Sequence, residues 1–260
     1  MVAGIKEPEL LRRDSSGVAW LTLNRPRARN ALSVSLMAAL DAEFLAIGVD
    51  QTVRVVVIGG AGATFSAGHD MRELRSDVDL PRLFAQCSDL MLRIAHLRQP
   101  VIAMVQGVAS AAGCQLVATC DLAIAGESAS FATPGVNIGL FCSTPMVALS
   151  RAVGQKAAME FLLTGDLVRA DQAQAMGLVN RVVPDANLKN AVAALAAQIA
   201  SKSPVALAIG KEAFYRQAGM PLADAYRFAS EVMARNMRSE DAAEGIDAFL
   251  DKRDPVWTGR

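Results

Sequence analysis

The chain contains no apolar run long enough to cross a membrane. Its continuous hydrophobic stretches, such as Val55-Val56-Val57-Ile58, fall far short of the roughly 20 residues a spanning helix needs. It has no charge excess either: 26 basic and 26 acidic residues balance, which argues against a nucleic-acid footprint or a membrane-adhering face. Histidine is scarce, at 2 residues, and the four cysteines (Cys87, Cys114, Cys120, Cys142) form no C-x-x-C pair. No metal site and no disulfide framework is therefore expected, and these read as reduced, buried thiols. Residues 1–14 hold no apolar h-region, and Arg12 with Arg13 is too little for a transit peptide. A cytoplasmic protein is the expectation. Gly59-Gly60-Ala61-Gly62 lacks the G-x-G-x-x-G spacing and leads into a loop, which excludes a Rossmann-type nucleotide site.

What is present is a large apolar fraction, 52% of 260 residues, enough for one sizeable core or a core with an appendage. Val18 to Leu23 reads as a strand closed by Asn24-Arg25-Pro26. Ser33 starts a helix with apolar residues at Leu36, Leu40, Phe44 and Ile47. Arg54 to Ile58 is a β-branched run of the kind covered on both faces. Residues 71–97 read mainly as helix with a break near Pro81, and further strands fall at Val101–Val105, Leu122–Ala125 and Val179–Val183. This alternation predicts an α/β fold with right-handed crossovers. After Val183 only helices are expected. Asp185 is read as the N-cap of one reaching Ser201, Pro204 and Pro221 open two more, and Ser239 caps a fourth. The division expected is a core over 1–195 and a helical assembly region over 196–260.

Two stretches carry chemistry: Phe65-Ser66-Ala67-Gly68-His69-Asp70 and Ala109-Ser110-Ala111-Ala112-Gly113-Cys114-Gln115. Each follows a strand-like run and is built from small residues that leave backbone N–H groups accessible. Two amides aimed at one point form an oxyanion hole, worth several kcal/mol to a developing thioester enolate, on the order of 3 per donor.

With Leu23 to Leu32, Leu163-Thr164-Gly165-Asp166, Gly177-Leu178-Val179 and Gly245 to Arg253, these motifs resemble the crotonase, or enoyl-CoA hydratase/isomerase, superfamily. Ser66 to Asp70, Ala111 to Gln115, Phe131 to Val136, Gly139 to Pro145 and Pro255-Val256-Trp257 are similar to its enoyl-CoA hydratase domain-containing protein 3 subgroup. The resemblance implies a crotonase-like spiral of ββα units with a C-terminal helical assembly region. It further implies an acyl-CoA thioester as ligand, coenzyme A entering with the substrate and no permanently bound cofactor. A homotrimer or a hexamer (a dimer of trimers) and a place in fatty-acid metabolism also follow from the likeness.

By position, the likeness puts the oxyanion amides on His69 and Ala112. It puts coenzyme A contacts on Arg25, Arg27, Ala28, Arg29, Ser66, Ala67, Asp70 and Met71. Lys211 is a candidate for the 3′-phosphate, from a neighbouring subunit. The family's two hydratase glutamates correspond here to Gln115 and Gly135, and a further isomerase carboxylate to Ser143. An amide exchanges no proton near neutrality and glycine has no side chain. General acid–base catalysis is worth about 10²–10⁴-fold per group, so ordinary hydration is expected to be weak.

Other groups near these motifs carry lesser expectations. The His69 ring titrates near neutrality, and Asp70 orients its loop. Thr144 is read as an N-cap with Pro145 at N1, Cys142 as a nucleophile only if its thiolate is stabilised, Asn137 as an acyl-pocket residue and His96 as a surface residue.

Overall fold

The structure, a computed structural model, describes residues 7–260; residues 1–6, part of the N-terminal stretch read above, lie outside the described residues. Strand β1 (Leu10–Ser15) turns through Ser16 and Gly17, both at positive φ, into antiparallel β2 (Val18–Leu23). Ser33 Oγ accepts the Leu36 amide and caps α1 (Val34–Val49). Strand β3 (Val55–Gly60) then lies parallel to β2. A four-residue turn of helix, α2 (Met71–Leu74), and the long α3 (Leu80–His96) lead to β4 (Val101–Val105), β5 (Val108–Ser110) and α4 (Ala112–Thr119). Next come β6 (Leu122–Gly126), β7 (Ser130–Ala132), a 3-10 helix at Pro134–Ile138, α5 (Ser143–Ala152) and α6 (Gln155–Thr164). The last strands are β8 (Val168–Arg169) and β9 (Arg181–Val183), with α7 (Ala170–Met176) between them. Helices α8 (Leu188–Ala200), α9 (Pro204–Gln217), α10 (Leu222–Asn236) and α11 (Glu240–Asp251) complete the chain.

The strands form a six-stranded sheet, β1-β2-β3-β4-β6-β9, and a three-stranded sheet, β5-β7-β8. In the β4–β5 and β6–β7 units the first strand joins the large sheet and the second the small one, the winding of the expected ββα spiral. The β3 run shows why so continuous an apolar strand is needed. Val56 and Ile58 join the core with α1 and α3, whereas Val55 and Val57 face α8 through Val192, Leu195 and Ala196. Both faces are dry, as parallel strands require.

Several local expectations change. Strands β1, β5, β7 and β8 carried no clear sequence signal: β1 is mostly polar, and the others have three residues or fewer. Asp185 does not cap α8. It begins a 3-10 turn, Asp185–Asn187, and its carboxylate accepts the Ser128 amide at 3.2 Å. Thr144 lies inside α5, whose N-cap is Cys142, because the Phe141 carbonyl already takes the Ser143 amide at 2.7 Å. The 195/196 boundary falls within α8, which packs along its length on the large sheet. No helix residue of α9 or α10 is fully buried. Among the described residues, no single helix is long and apolar enough to cross a membrane.

Candidate active site

The two small-residue stretches meet at the ends of β3 and β5, held by backbone bonds. The Ser66 amide donates to the Val108 carbonyl (3.1 Å), and the Ser110 amide returns a bond to the Ser66 carbonyl (2.9 Å). The Ser66 hydroxyl donates to the Asn30 carbonyl at 2.9 Å. On the other side, the Leu32 amide donates to the Gly68 carbonyl and the Ala67 amide to the Arg29 carbonyl. Asn30, fully buried, ties the preceding loop by donating to the Ala61 and Thr64 carbonyls.

Within this net the His69 and Ala112 amides have no hydrogen-bond partner among the described residues, and neither do the next two amides of α4, Gly113 and Cys114, as at any helix start. Their neighbours Ala67, Gly68, Asp70 and Ala111 are all bonded. Gly68, at φ 91°, makes room for this: a Cβ there would stand 3.1 Å from the Ala112 nitrogen and 2.9 Å from the Ala111 Cβ. The turn into α4 is made by Ala111 at φ 48°, ψ −117°, a region an L-residue occupies only at a cost of about 1–3 kcal/mol. That conformation starts α4 abruptly. The Ala112 N–H is thereby left at the helix's positive end with nothing of the chain's own to bind.

The walls around these amides hold few ionisable groups. The His69 ring packs edge-on against Phe84, with centroids 5.6 Å apart. Both ring nitrogens are enclosed without a hydrogen-bond partner. Burial lowers its pKa from the usual value, outweighing the nearby Leu32 carbonyl, which favours the charged form but lies outside hydrogen-bonding geometry. Gln115, 4% exposed, accepts a weak bond from the fully buried Cys87 thiol at 4.0 Å. Burial pushes the Cys87 and Cys114 thiols up to about 12.

Gly135 lies at the start of the 3-10 helix, its carbonyl accepting the Leu140 amide. A Cβ there would stand 2.7 Å from the Leu140 carbonyl oxygen and 2.9 Å from Cys142 Sγ. The Cys142 thiol is raised by burial, only partly offset by the Gly135 amide, so the thiolate a nucleophile needs is disfavoured. A cavity of about 500 Å³ opens beside Gln115, lined by Met91 and Leu92 of α3, Ala118 of α4 and Ala148 of α5.

The remaining candidates are placed variously. Asp70 caps α2 through the Arg72 amide and accepts the Arg25 guanidinium at 3.0 Å. Burial alone would raise its carboxyl, but Arg25 and that amide bring it below the usual range. Arg25 also pairs with Glu9 and donates to the Ala31 carbonyl, so it braces the loop. Arg27, Ala28, Arg29 and Met71 are exposed at the rim, and Ala67 is half-buried. Asn137, Ser143 and His96 are exposed, and Ser143 donates only to the Phe141 carbonyl.

Lys211 does not reach this region. Its ammonium donates to the Ile94 and Gln99 carbonyls and to Asp121 at 2.6 Å, while Tyr215 donates to the other Asp121 oxygen. All three ammonium donors are taken within the chain. Desolvation lowers the Lys211 pKa and Asp121 opposes it. No group of residues that would hold a metal occurs among the described residues, and all four cysteines are free and buried. Sequence reading did not find the roles of Ala111 or Cys87. The first lies in a backbone angle, and the second in a contact 28 residues apart in sequence.

Residues 13–260 match the enoyl-CoA hydratase/isomerase family. The chain belongs to that family. It is 44% identical to the human enoyl-CoA hydratase domain-containing protein 3, mitochondrial, over 95% of this chain and 82% of the relative. The rat protein of the same name is also 44% identical, covering 97% of this chain and 85% of its own. Among solved structures, the human protein superposes with a TM-score of 0.94 at 43% identity, over 96% of this chain and 100% of that one. An enoyl-CoA hydratase from Mycobacterium smegmatis gives 0.94 at 51% identity, over 96% and 99%. The family assignment and the subgroup likeness both stand. The cytoplasmic expectation does not: these relatives are named as mitochondrial proteins, pointing to the mitochondrion.

Proposed function

We propose that this member of the enoyl-CoA hydratase/isomerase family binds an acyl-CoA thioester with the thioester oxygen between the His69 and Ala112 amides. One observation carries the reading: the His69 amide and the first amide of α4, Ala112, remain unpaired where the two stretches meet, in a net that bonds Ala67, Gly68, Asp70 and Ala111. Buried donors are rarely left without a partner, and a developing oxyanion supplies one. Exposed Arg27, Ala28, Arg29 and Met71, with half-buried Ala67, are proposed to meet coenzyme A, which comes and goes with the substrate.

The chemistry proposed is that of a divergent CoA-thioester lyase or hydrolase with weak or no hydratase activity. Gln115 and Gly135 stand where hydratases of the family use glutamates, and neither moves a proton. Enolate stabilisation and positioning remain, sufficient for a substrate that brings its own leaving group, as in decarboxylation. The same two residues favour a second reading, a non-catalytic acyl-CoA-binding or regulatory protein of fatty-acid metabolism. Assembly as a homotrimer or a dimer of trimers is part of the proposal. It is supported by apolar residues left in solvent on α10 and α11, Leu222, Tyr226, Phe249 and Leu250 among them.

Incubation with acyl-, enoyl- and malonyl-type CoA thioesters, read by mass spectrometry, separates the two readings. A specific product, absent without the protein, supports a catalyst. Binding without product supports the regulatory protein. Hydration of crotonyl-CoA at the rate of an ordinary hydratase would sink the proposal that this chemistry is missing.

A further inference from the structure

Gln115 lies in the first turn of α4, three residues after Ala112. Positions three apart are neighbours on a helix surface, and helical side chains lean toward the N-terminus, here toward the unpaired Ala112 amide. One contact favours one orientation of its amide. The fully buried Cys87 thiol donates to Oε1 at 4.0 Å. The opposite orientation would set two N–H groups against sulfur, a weak acceptor. Nε2 has no partner within the described chain, yet it is not among the enclosed polar atoms. It therefore has access to free space, and Gln115 borders the cavity between α3, α4 and α5. A glutamate at this position would accept hydrogen bonds. This amide, held by Cys87, donates them, so the polarity of the wall is reversed.

We infer that Gln115 selects thioesters whose acyl chain carries an acceptor oxygen on carbon 3, a ketone or a carboxylate, with Cys87 as the residue that positions its amide. The inference rests on the thioester reading above. Three residues of helix advance about 4.5 Å, comparable to the spacing between an oxygen on carbon 1 and one on carbon 3. With the first seated on the His69 and Ala112 amides, the second meets Nε2. A saturated chain leaves that donor unpaired, and a donor desolvated without a partner weakens binding by about 10-fold or more.

The test is calorimetric titration of the full chain with acetoacetyl-CoA, malonyl-CoA and butyryl-CoA. At least one of the first two is expected to bind about 10-fold tighter than butyryl-CoA; which one identifies ketone or carboxylate. The near-isosteric Gln115→Met removes the preference. Cys87→Ala reduces it by releasing the amide, and Cys87→Ser, which restores a donor, retains it. Equal affinity for all three thioesters in the unaltered chain, or a preference that survives Gln115→Met, overturns the inference and leaves the thioester reading intact. Absence of binding by every thioester, butyryl-CoA included, overturns the thioester reading and this inference with it.

Discussion

At one end of the site the backbone is the working part; at the other, side chains are. The amide end is over-determined: Ser66 is bonded through its amide, carbonyl and hydroxyl, Gly68 gives clearance, and Ala111 is held in a costly conformation. The side-chain end is thin, with an amide at 115, no side chain at 135, and thiols that burial keeps protonated. Amides at a helix start survive sequence change because any small residue supplies them. Proton-transfer groups depend on single side chains, so one substitution removes each. On the proposed reading, the fold keeps its ligand while losing a reaction.

The largest expected effects test whether the two ends differ as described. Gly113 packs so tightly that a Cβ would collide with the Ser66 carbonyl. Gly113→Ala should cost about 3 kcal/mol or more by urea unfolding, at the upper range of overpacking. At the other end, the volume-conserving Gln115→Met should cost less than about 1.5 kcal/mol. Equal losses would erase the distinction. In chemistry the order reverses. Gln115→Glu should raise crotonyl-CoA hydration by about 10²-fold, the lower range for one general acid–base group. Gly135→Glu should give no gain, because its Cβ would stand 2.7 Å from the Leu140 carbonyl and 2.9 Å from the Cys142 sulfur. The loop has closed over that position, so hydration rising in Gly135→Glu alone would show the loop to be looser than it stands here.

The same division decides what was legible in the sequence. Small residues after strand-like runs announced the amide end directly, since Gly68 and Gly113 are there for clearance that only glycine allows. The β3 run announced a strand with two dry faces, and Ser33 and Ser239 announced helix starts through capping chemistry. The partners of Lys211 were silent because Asp121 and the two carbonyls that claim its three donors are distant in sequence. Ala111 was silent because a backbone angle leaves no mark on residue type. Cys87 was silent because its partner lies on another helix. The short strands β5, β7 and β8 were missed because their pairing depends on neighbours distant in sequence.

Two smaller effects sharpen the amide end further. Ala111→Gly relieves the unfavourable φ, so thermal stability should hold or rise, while the turn loosens and butyryl-CoA binding weakens by about 10-fold. Opposite signs in melting and titration separate a positioning role from a merely structural one. The last prediction concerns the His69 ring, held neutral by burial with its pKa below 6.5. The unfolded chain takes up a proton near pH 6.5 and the folded chain does not, so folding stability is full above that pH and falls as acid is added. The urea midpoint should therefore drop between pH 7.5 and pH 5.5, by less in His69→Gln, whose amide does not titrate. An identical drop in both proteins would mean that other groups carry the acid sensitivity and that this imidazole is less enclosed than its two unpartnered nitrogens indicate.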